Sequence, residues 1–555
     1  MSADSTRTGE PSLWLAGEGR WARAIQSLQP VQRSGGVCGD GMSGRDNGVI
    51  RETCVGGRRL PTDGATFKRE ADLAHSGVGV LHSSDEAPVM GVERRRGSCV
   101  DAHRIGREPG DGPQGIVTPT PVIEAGDRVR KLQRTLYRQA KSKPKWKAWS
   151  LYGELCREDM LAAALRQVMK NGGAPGMDGM TVEELKLNAE TRGQWLGNLR
   201  EELMMRSYRP SPVRRVYIPK GNGTMRPLGI PTVKDRVVQT AMVLLLMPVF
   251  EADFHENSYA YRPRKRAQQA IDAIKEAMMS GRREVLDADL SGYFDNIPHA
   301  RLLALVRQRV SDGSVLRLIR AWLRAPIVEE DRKTGEKKAV RNRCGTPQGG
   351  VVSPLLANLY LDGLDKAVNG GKEFKAVMVR YADDFVILCR KGQGDEIQKR
   401  VKRWLESRQL RMNEAKTRLV NGNWESFDFL GYRLSWRKAK SGKSYPHVEP
   451  SPKSCTNLRK AIREETRWGT QWETAEAVVS RINRRVRGWI GYFHYGNSTK
   501  VFGSMQGYTR NRVRRWLWKK HNKKRGLWAG AYSDQRLHEV HGLIEYPLHA
   551  VWKTT

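Results

Sequence analysis

The fold turns on the stretch Phe374-Lys375-Ala376-Val377-Met378-Val379-Arg380-Tyr381-Ala382-Asp383-Asp384-Phe385-Val386-Ile387-Leu388. Two short apolar runs flank a polar turn, which predicts a β-hairpin with Asp383 and Asp384 at its tip. Adjacent carboxylates repel each other, so a semi-enclosed pair calls for a cation. Mg²⁺ suits such a site, because it takes oxygen ligands together with substrate phosphates. The plainer reading of Tyr-Ala-Asp-Asp is an exposed turn. Three further stretches tip the balance against that reading.

Just upstream, Glu284-Val285-Leu286-Asp287-Ala288-Asp289 begins as an alternating strand. Period two puts Asp287 and Asp289 on one face. A carboxylate there, beside the hairpin, would complete a two-metal cage; the plainer reading of either aspartate is the end of a strand. The segment runs on as Leu290-Ser291-Gly292-Tyr293-Phe294-Asp295. Next, Cys344-Gly345-Thr346-Pro347-Gln348-Gly349-Gly350 opens a helix. Its small residues would let a nucleotide approach the backbone, and Gln348 could orient it. Nearer the N-terminus, Val216-Tyr217-Ile218-Pro219-Lys220-Gly221-Asn222-Gly223-Thr224-Met225-Arg226-Pro227-Leu228 reads as a hairpin. Lys220 and Arg226 stand on its opposite arms, as a triphosphate clamp or as two solvated cations.

Composition agrees with a polyanionic partner. The 555 residues carry a formal net charge of +37, far beyond what solubility requires. The seven cysteines are scattered without a Cys-x-x-Cys, which argues against a zinc site or a disulfide framework and fits a reducing cytosol. The longest apolar run, residues 241–250, is too short to span a membrane. No secretory signal is visible.

Residues 1–125 are rich in Gly, Arg and Ser and lack sustained periodicity. They read as a disordered or non-native extension rather than an RNA-binding arm. Helical spacing begins at Val129, Leu132, Leu136 and Tyr137, and a second helix is expected over residues 160–169. The Gly/Pro loop at residues 172–179 precedes a helix that Thr181 and Glu184 would cap. A buried helix is expected over residues 237–250. Across residues 452–525, nineteen Lys/Arg face four acidic residues, the footprint of a polyanion-binding surface. Arg481, Arg484, Arg485 and Arg487 interleave with Ile482, Val486, Trp489 and Ile490, and a further helix with Arg514, Arg515, Trp516 and Trp518 follows. The aromatics read equally well as core. His538 and His541 are three apart, and a helical His pair more often sits on a surface or in a core than on a metal.

These motifs, in this order, resemble the bacterial group II intron-encoded reverse transcriptases/maturases, from about residue 129 to about residue 528. The resemblance implies an α+β right-hand polymerase, with fingers and palm over 126–440 and a helical thumb, or maturase-specific domain, over 441–525. Residues 526–555 would form a short tail without the HNH endonuclease domain. Asp289, Asp383 and Asp384 match the catalytic metal ligands, for two Mg²⁺ ions that Mn²⁺ can replace. Phe294 matches the aromatic that closes on the sugar 2′ position, and Gln348 the glutamine of the nucleotide pocket. Lys220 and Arg226 match the triphosphate-contacting finger residues, and Lys416 the lysine proposed to protonate pyrophosphate. Phe429-Leu430-Gly431-Tyr432 looks like the primer grip. Asp287 falls outside the family pattern and is taken as a supporting residue. Arg484, Arg485, Arg487, Arg514 and Arg515 are expected to bind RNA.

The implied activity is RNA-directed DNA synthesis on the host intron, with binding of that RNA to assist splicing and mobility. The implied partners are group II intron RNA, an RNA template with a DNA primer, target DNA and dNTPs, in a cytoplasmic bacterial ribonucleoprotein with no membrane. A homodimer is left open. Two other readings stand beside this one: an RNA-binding splicing maturase with a vestigial polymerase site, and a reverse transcriptase of a retron or diversity-generating lineage.

Overall fold

A computed structural model describes residues 125–219, 225–330, 334–371, 374–521 and 531–548. The expected N-terminal extension lies outside them, as does Lys220. All described residues belong to one compact unit.

The first helices are α1 (Ala125–Ser142), which holds the expected apolar spacing, and α2 (Glu158–Asn171), slightly longer than the expected 160–169. Both pack on α3 (Val233–Glu251), whose side chains are buried almost throughout. A helix that is apolar all round must be central, and this one forms the floor of the N-terminal half. Between α2 and α3, β1 (Val213–Pro219) pairs antiparallel with β2 (Met225–Ile230). This is the expected hairpin, with Arg226 opposite Ile218 beside the turn. β4 (Ile327–Glu330) and β5 (Lys337–Val340) extend it into a sheet of order β2-β1-β4-β5.

The palm sheet has order β6-β7-β3-β8, from β3 (Glu284–Ala288), β6 (Val377–Tyr381), β7 (Asp384–Cys389) and β8 (Arg418–Asn421). It separates two hydrophobic cores. Leu286, Met378, Phe385 and Ile387 face the first, together with α3 and α6 (Ser353–Gly370). Val285, Val379, Val386 and Leu388 face the second, with α4 (Ala267–Met279) and the C-terminal helices. Burial on both faces explains why β6 and β7 read as continuous apolar runs rather than alternating ones.

A third sheet, β11-β10-β9, is formed by β9 (Phe427–Phe429), β10 (Tyr432–Lys438) and β11 (Ser444–Pro450). The β10–β11 ladder straddles residue 440, so the expected palm–thumb boundary falls inside a hairpin. α7 (Pro452–Glu465), α8 (Ala475–Phe493) and α9 (Thr499–Lys520) follow. The expected tail is part of this domain: Tyr532, Leu537, Leu543 and Tyr546 are buried in its core. His538 accepts a hydrogen bond from Arg510 and contacts the Leu543 carbonyl, so it serves packing. Among the described residues, no helix is long and apolar enough to cross a membrane.

Candidate active site and nucleic-acid interface

The hairpin tip sits where β6 turns into β7. Tyr381 pairs with Asp384, and Ala382 takes a left-handed φ of 63°. That conformation is uncommon for a residue with a Cβ and signals a locally enforced turn. Asp289 follows β3, the strand beside β7, so the three expected carboxylates share one end of the sheet. Asp289 accepts from Asn413 Nδ2 at 3.0 Å and from Lys416 Nζ at 2.9 Å. Asp287 is half-buried and paired with Arg418 of β8 at 3.0 Å, in keeping with a supporting role.

Burial lifts Asp383 above the usual carboxylate range, with Asp289 adding like charge and Arg226 and Arg380 opposing it. Asp384 is pushed up to about 6, by desolvation first and then by Asp383, Asp289 and Asp287, against Lys416. Its side chain keeps an open face to solvent, so the like charges carry the argument. Three mutually repelling carboxylates are a donor set that fits an oxygen-liganded divalent cation. Among the described residues, no three acidic, His or Cys side chains converge closely enough to enclose an ion, and Asp289 turns instead to Lys416.

The residues expected to line a nucleotide pocket are linked by one loop. Thr346 N donates to the Phe294 carbonyl at 2.7 Å, and Gly229 N donates to the Gln348 carbonyl at 2.6 Å. The loop therefore ties β2, which carries Arg226, to α5 (Tyr293–Asn296), which carries Phe294. Two of its glycines are required by neighbouring protein backbone. A Cβ on Gly349 would lie 2.1 Å from the Gly229 carbonyl oxygen, and one on Gly345 2.6 Å from that of Asp295. Phe294 and Gln348 are half-buried and Arg226 is exposed. Tyr293 is buried, with its hydroxyl on the Ala357 carbonyl. Tyr261 lies between the fingers and the hairpin. Burial pushes it up to about 12, with Asp383 and Tyr381 raising it and Arg226 opposing them.

The loop at residues 172–179 docks on protein. Arg236 donates to the carbonyls of Gly172 and Ala174, and a Cβ on Gly176 would strike Thr232. Thr181 does cap the following helix, accepting from Glu184 N. Leu430 and Gly431, both at positive φ, make the tight β9–β10 turn. Ser451 N and Ser454 Oγ both donate to the Gly431 carbonyl, and Tyr492 to that of Leu430. The expected primer-grip turn is thus bolted to the thumb.

In the thumb, Arg484 and Arg487 of α8 and Arg515 of α9 are exposed. Arg485 is spent on Glu465 at 2.8 Å, and Arg514 on Asp534 and the Tyr532 carbonyl. Trp489 packs among Phe493, Phe502 and Tyr546, and Trp516 is buried with its indole N–H on Thr470. Both are core residues.

What sequence reasoning missed is the side chain of Arg380. It is wholly buried and paired with Asp365, itself wholly buried. The available signal was an arginine inside an apolar strand and an aspartate inside an apolar helix.

Comparison with known proteins agrees with this arrangement. Residues 218–434 match the family described as reverse transcriptase (RNA-dependent DNA polymerase). Residues 455–533 match the group II intron, maturase-specific domain. The chain belongs to the group II intron-encoded reverse transcriptase/maturase family. Among curated relatives, Protein YkfC of Escherichia coli K12 is 34% identical over 355 residues, covering 57% of this chain and 90% of that protein. The group II intron-encoded protein LtrA of Lactococcus lactis subsp. cremoris is 35% identical over 226 residues. That match covers 39% of this chain, which spans about a third (35%) of LtrA's length. A partial Cas6-RT-Cas1–Cas2 complex aligns at 23% identity and a TM-score of 0.30, over 47% of this chain and 42% of that one.

Proposed function

We propose that this protein is an RNA-directed DNA polymerase that copies its host group II intron RNA and binds that RNA to assist splicing and mobility. One observation carries the reading: Asp289, Asp383 and Asp384 lie at one end of the palm sheet, electrostatically coupled to one another. The transfer joins a primer 3′-hydroxyl to the α-phosphate of a deoxynucleotide paired with an RNA template, and pyrophosphate leaves. Asp289, Asp383 and Asp384 would hold Mg²⁺, as two ions or with Mn²⁺ in its place, which lowers the cost of developing negative charge on phosphate oxygens.

The chain's own residues do the positioning. Arg226, whose charge already reaches Asp383, would meet the triphosphate. Gln348 and Phe294 come together through one loop, as base- and sugar-side contacts. Lys416 lies 2.9 Å from Asp289 and supplies the cation from which a proton would pass to the leaving pyrophosphate. Arg484, Arg487 and Arg515 are among the exposed thumb cations and would meet RNA phosphates. Target DNA completes the partner set.

The test is primer extension on an RNA template with the purified ribonucleoprotein, with and without Mg²⁺, in parallel with a splicing assay. Absence of metal-dependent cDNA from the wild-type protein would refute the reading.

A further inference from the structure

We infer that Arg380, locked to Asp365, is a positioning residue that sets the backbone from which Asp383 projects. The inference rests on the polymerase reading above.

The guanidinium has five N–H donors, and the structure uses all of them. Nε faces the two Asp365 oxygens at 2.9 and 3.0 Å, and Nη2 reaches Asp365 Oδ2 at 2.5 Å. Nη2 also donates to Ser258 Oγ at 2.8 Å. Nη1 donates to Asn358 Oδ1 and to the Ala382 carbonyl, each at 2.9 Å. Arg380 and Asp365 have no exposed side-chain surface.

The Ala382 carbonyl is the informative acceptor. It belongs to the peptide group that carries the Asp383 N–H. Ala382 is also the left-handed residue of the turn, at φ 63°, a conformation an alanine leaves readily unless its surroundings hold it. Arg380 therefore holds a strained residue on one side and the peptide plane of Asp383 on the other. The rest of the network braces it. Asn358 and Asp365 are seven residues apart and so share one face of α6. Ser258 belongs to a segment bonded to the edge of β6: Arg380 N donates to the Asn257 carbonyl and Tyr259 N to the Arg380 carbonyl, each at 2.9 Å. Helix, loop and catalytic turn thus meet on one planar group.

A buried ion pair is poor evidence for stability alone, because apolar residues of similar volume often do as well. Apolar residues would join α6 to the sheet, but they would not bond the Ala382 carbonyl. Lysine would keep the charge opposite Asp365, yet its three donors on a flexible stem cannot reproduce the planar fork.

The test uses the full-length protein on an RNA template–DNA primer, with single-nucleotide insertion kinetics, Mn²⁺ binding read by electron paramagnetic resonance, and thermal melts. Arg380→Lys should lower kcat about 100-fold, as a misplaced reacting group does, while the dNTP KM stays within about threefold. Mn²⁺ affinity should fall about tenfold, since the Asp383 carboxylate is no longer pre-placed. Adding Ala382→Gly, which makes the left-handed turn accessible without a brace, should recover about tenfold of the lost kcat and leave Tm unrestored. If Arg380→Lys fails to fold, the double variant Arg380→Met/Asp365→Leu carries the test, because it leaves no unpaired buried charge. It should melt cooperatively and show the same drop in kcat and in Mn²⁺ affinity. Wild-type kcat and Mn²⁺ affinity in either variant, or recovery of kcat only in step with Tm, would overturn the inference. Failure of the wild-type protein to extend primers would strike the polymerase reading instead.

Discussion

Asp384→Asn should stabilise the metal-free protein. Desolvation and the neighbouring Asp383, Asp289 and Asp287 lift Asp384 from its ordinary 3.8 to about 6. The folded state therefore binds this proton more tightly than the unfolded chain does, and stability falls as pH rises from about 4 to about 6. Above pH 6 the full penalty is present, at most ~3 kcal/mol for a shift of this size. Asp384 keeps an open face, and solvent screening brings the expected gain on neutralisation to ~1–1.5 kcal/mol. For a folded unit of this size, with an unfolding entropy of about 2 cal/mol/K per residue, that is ~1–2 °C in Tm. Thermal melts in EDTA at pH 7.5 should show the rise, and melts at pH 5 a smaller one, because Asp384 is then largely protonated in the wild type. Mg²⁺ should raise the Tm of the wild type more than that of Asp384→Asn, since only the former keeps the whole carboxylate set. An unchanged or lower Tm for Asp384→Asn in EDTA, or equal stabilisation of both proteins by Mg²⁺, would refute the coupling of these charges.

Asp383→Ala should reduce primer extension to background while leaving intron RNA affinity within about twofold, as filter binding would register, because the exposed thumb arginines lie on other elements. Phe294→Ala should admit ribonucleotides, by opening space beside the sugar; unchanged deoxy-over-ribo discrimination in single insertions would remove Phe294 from that role. Replacing Arg484, Arg487 and Arg515 with Gln should lower the log–log salt slope of RNA binding by roughly 0.7–0.9 for each RNA phosphate that is no longer neutralised. The same change at Arg485 and Arg514 should act mainly on Tm, because Glu465 and Asp534 already hold those side chains.

Local elements were legible wherever the pattern was strong. The Val216–Leu228 hairpin, the buried α3 and the β6–β7 hairpin all follow from periodicity and turn residues. What periodicity could not supply was which face of each strand meets which core. β6 and β7 are apolar on both sides, so their alternation is hidden, and only the packing shows one face on α3 and the other on the thumb. The same limit governs the C-terminal segment. Leu537, Leu543 and Tyr546 are too sparse for a helical stripe, yet each fills the thumb core. Trp489 and Trp516 stand among arginines in sequence but point away from them, because neighbours on a helix lie about 100° apart.

The site divides along similar lines. The aspartates were legible because Asp289 at the end of a neighbouring strand and the loop at Gln348 stood with them in sequence, where Asp383 and Asp384 alone would read as an exposed turn. The loop at Gln348 was also visible; what the sequence could not show is that Gly349 and Gly345 lie against the backbones of Gly229 and Asp295. Arg485 and Arg514 looked like RNA contacts because composition counts charges without their partners; Glu465 is twenty residues from Arg485, and Asp534 twenty from Arg514. Arg380 hid for the opposite reason. It stands inside the most informative motif of the chain, where its own side chain drew no notice beside the two aspartates. Asp365 lies fifteen residues upstream, on a helix whose other buried positions are mostly apolar. Each breaks its local pattern, and a buried charge that breaks a pattern needs a partner. Pairing such violations across elements links Arg380 to Asp365, and through the Ala382 carbonyl to the turn that carries Asp383 and Asp384.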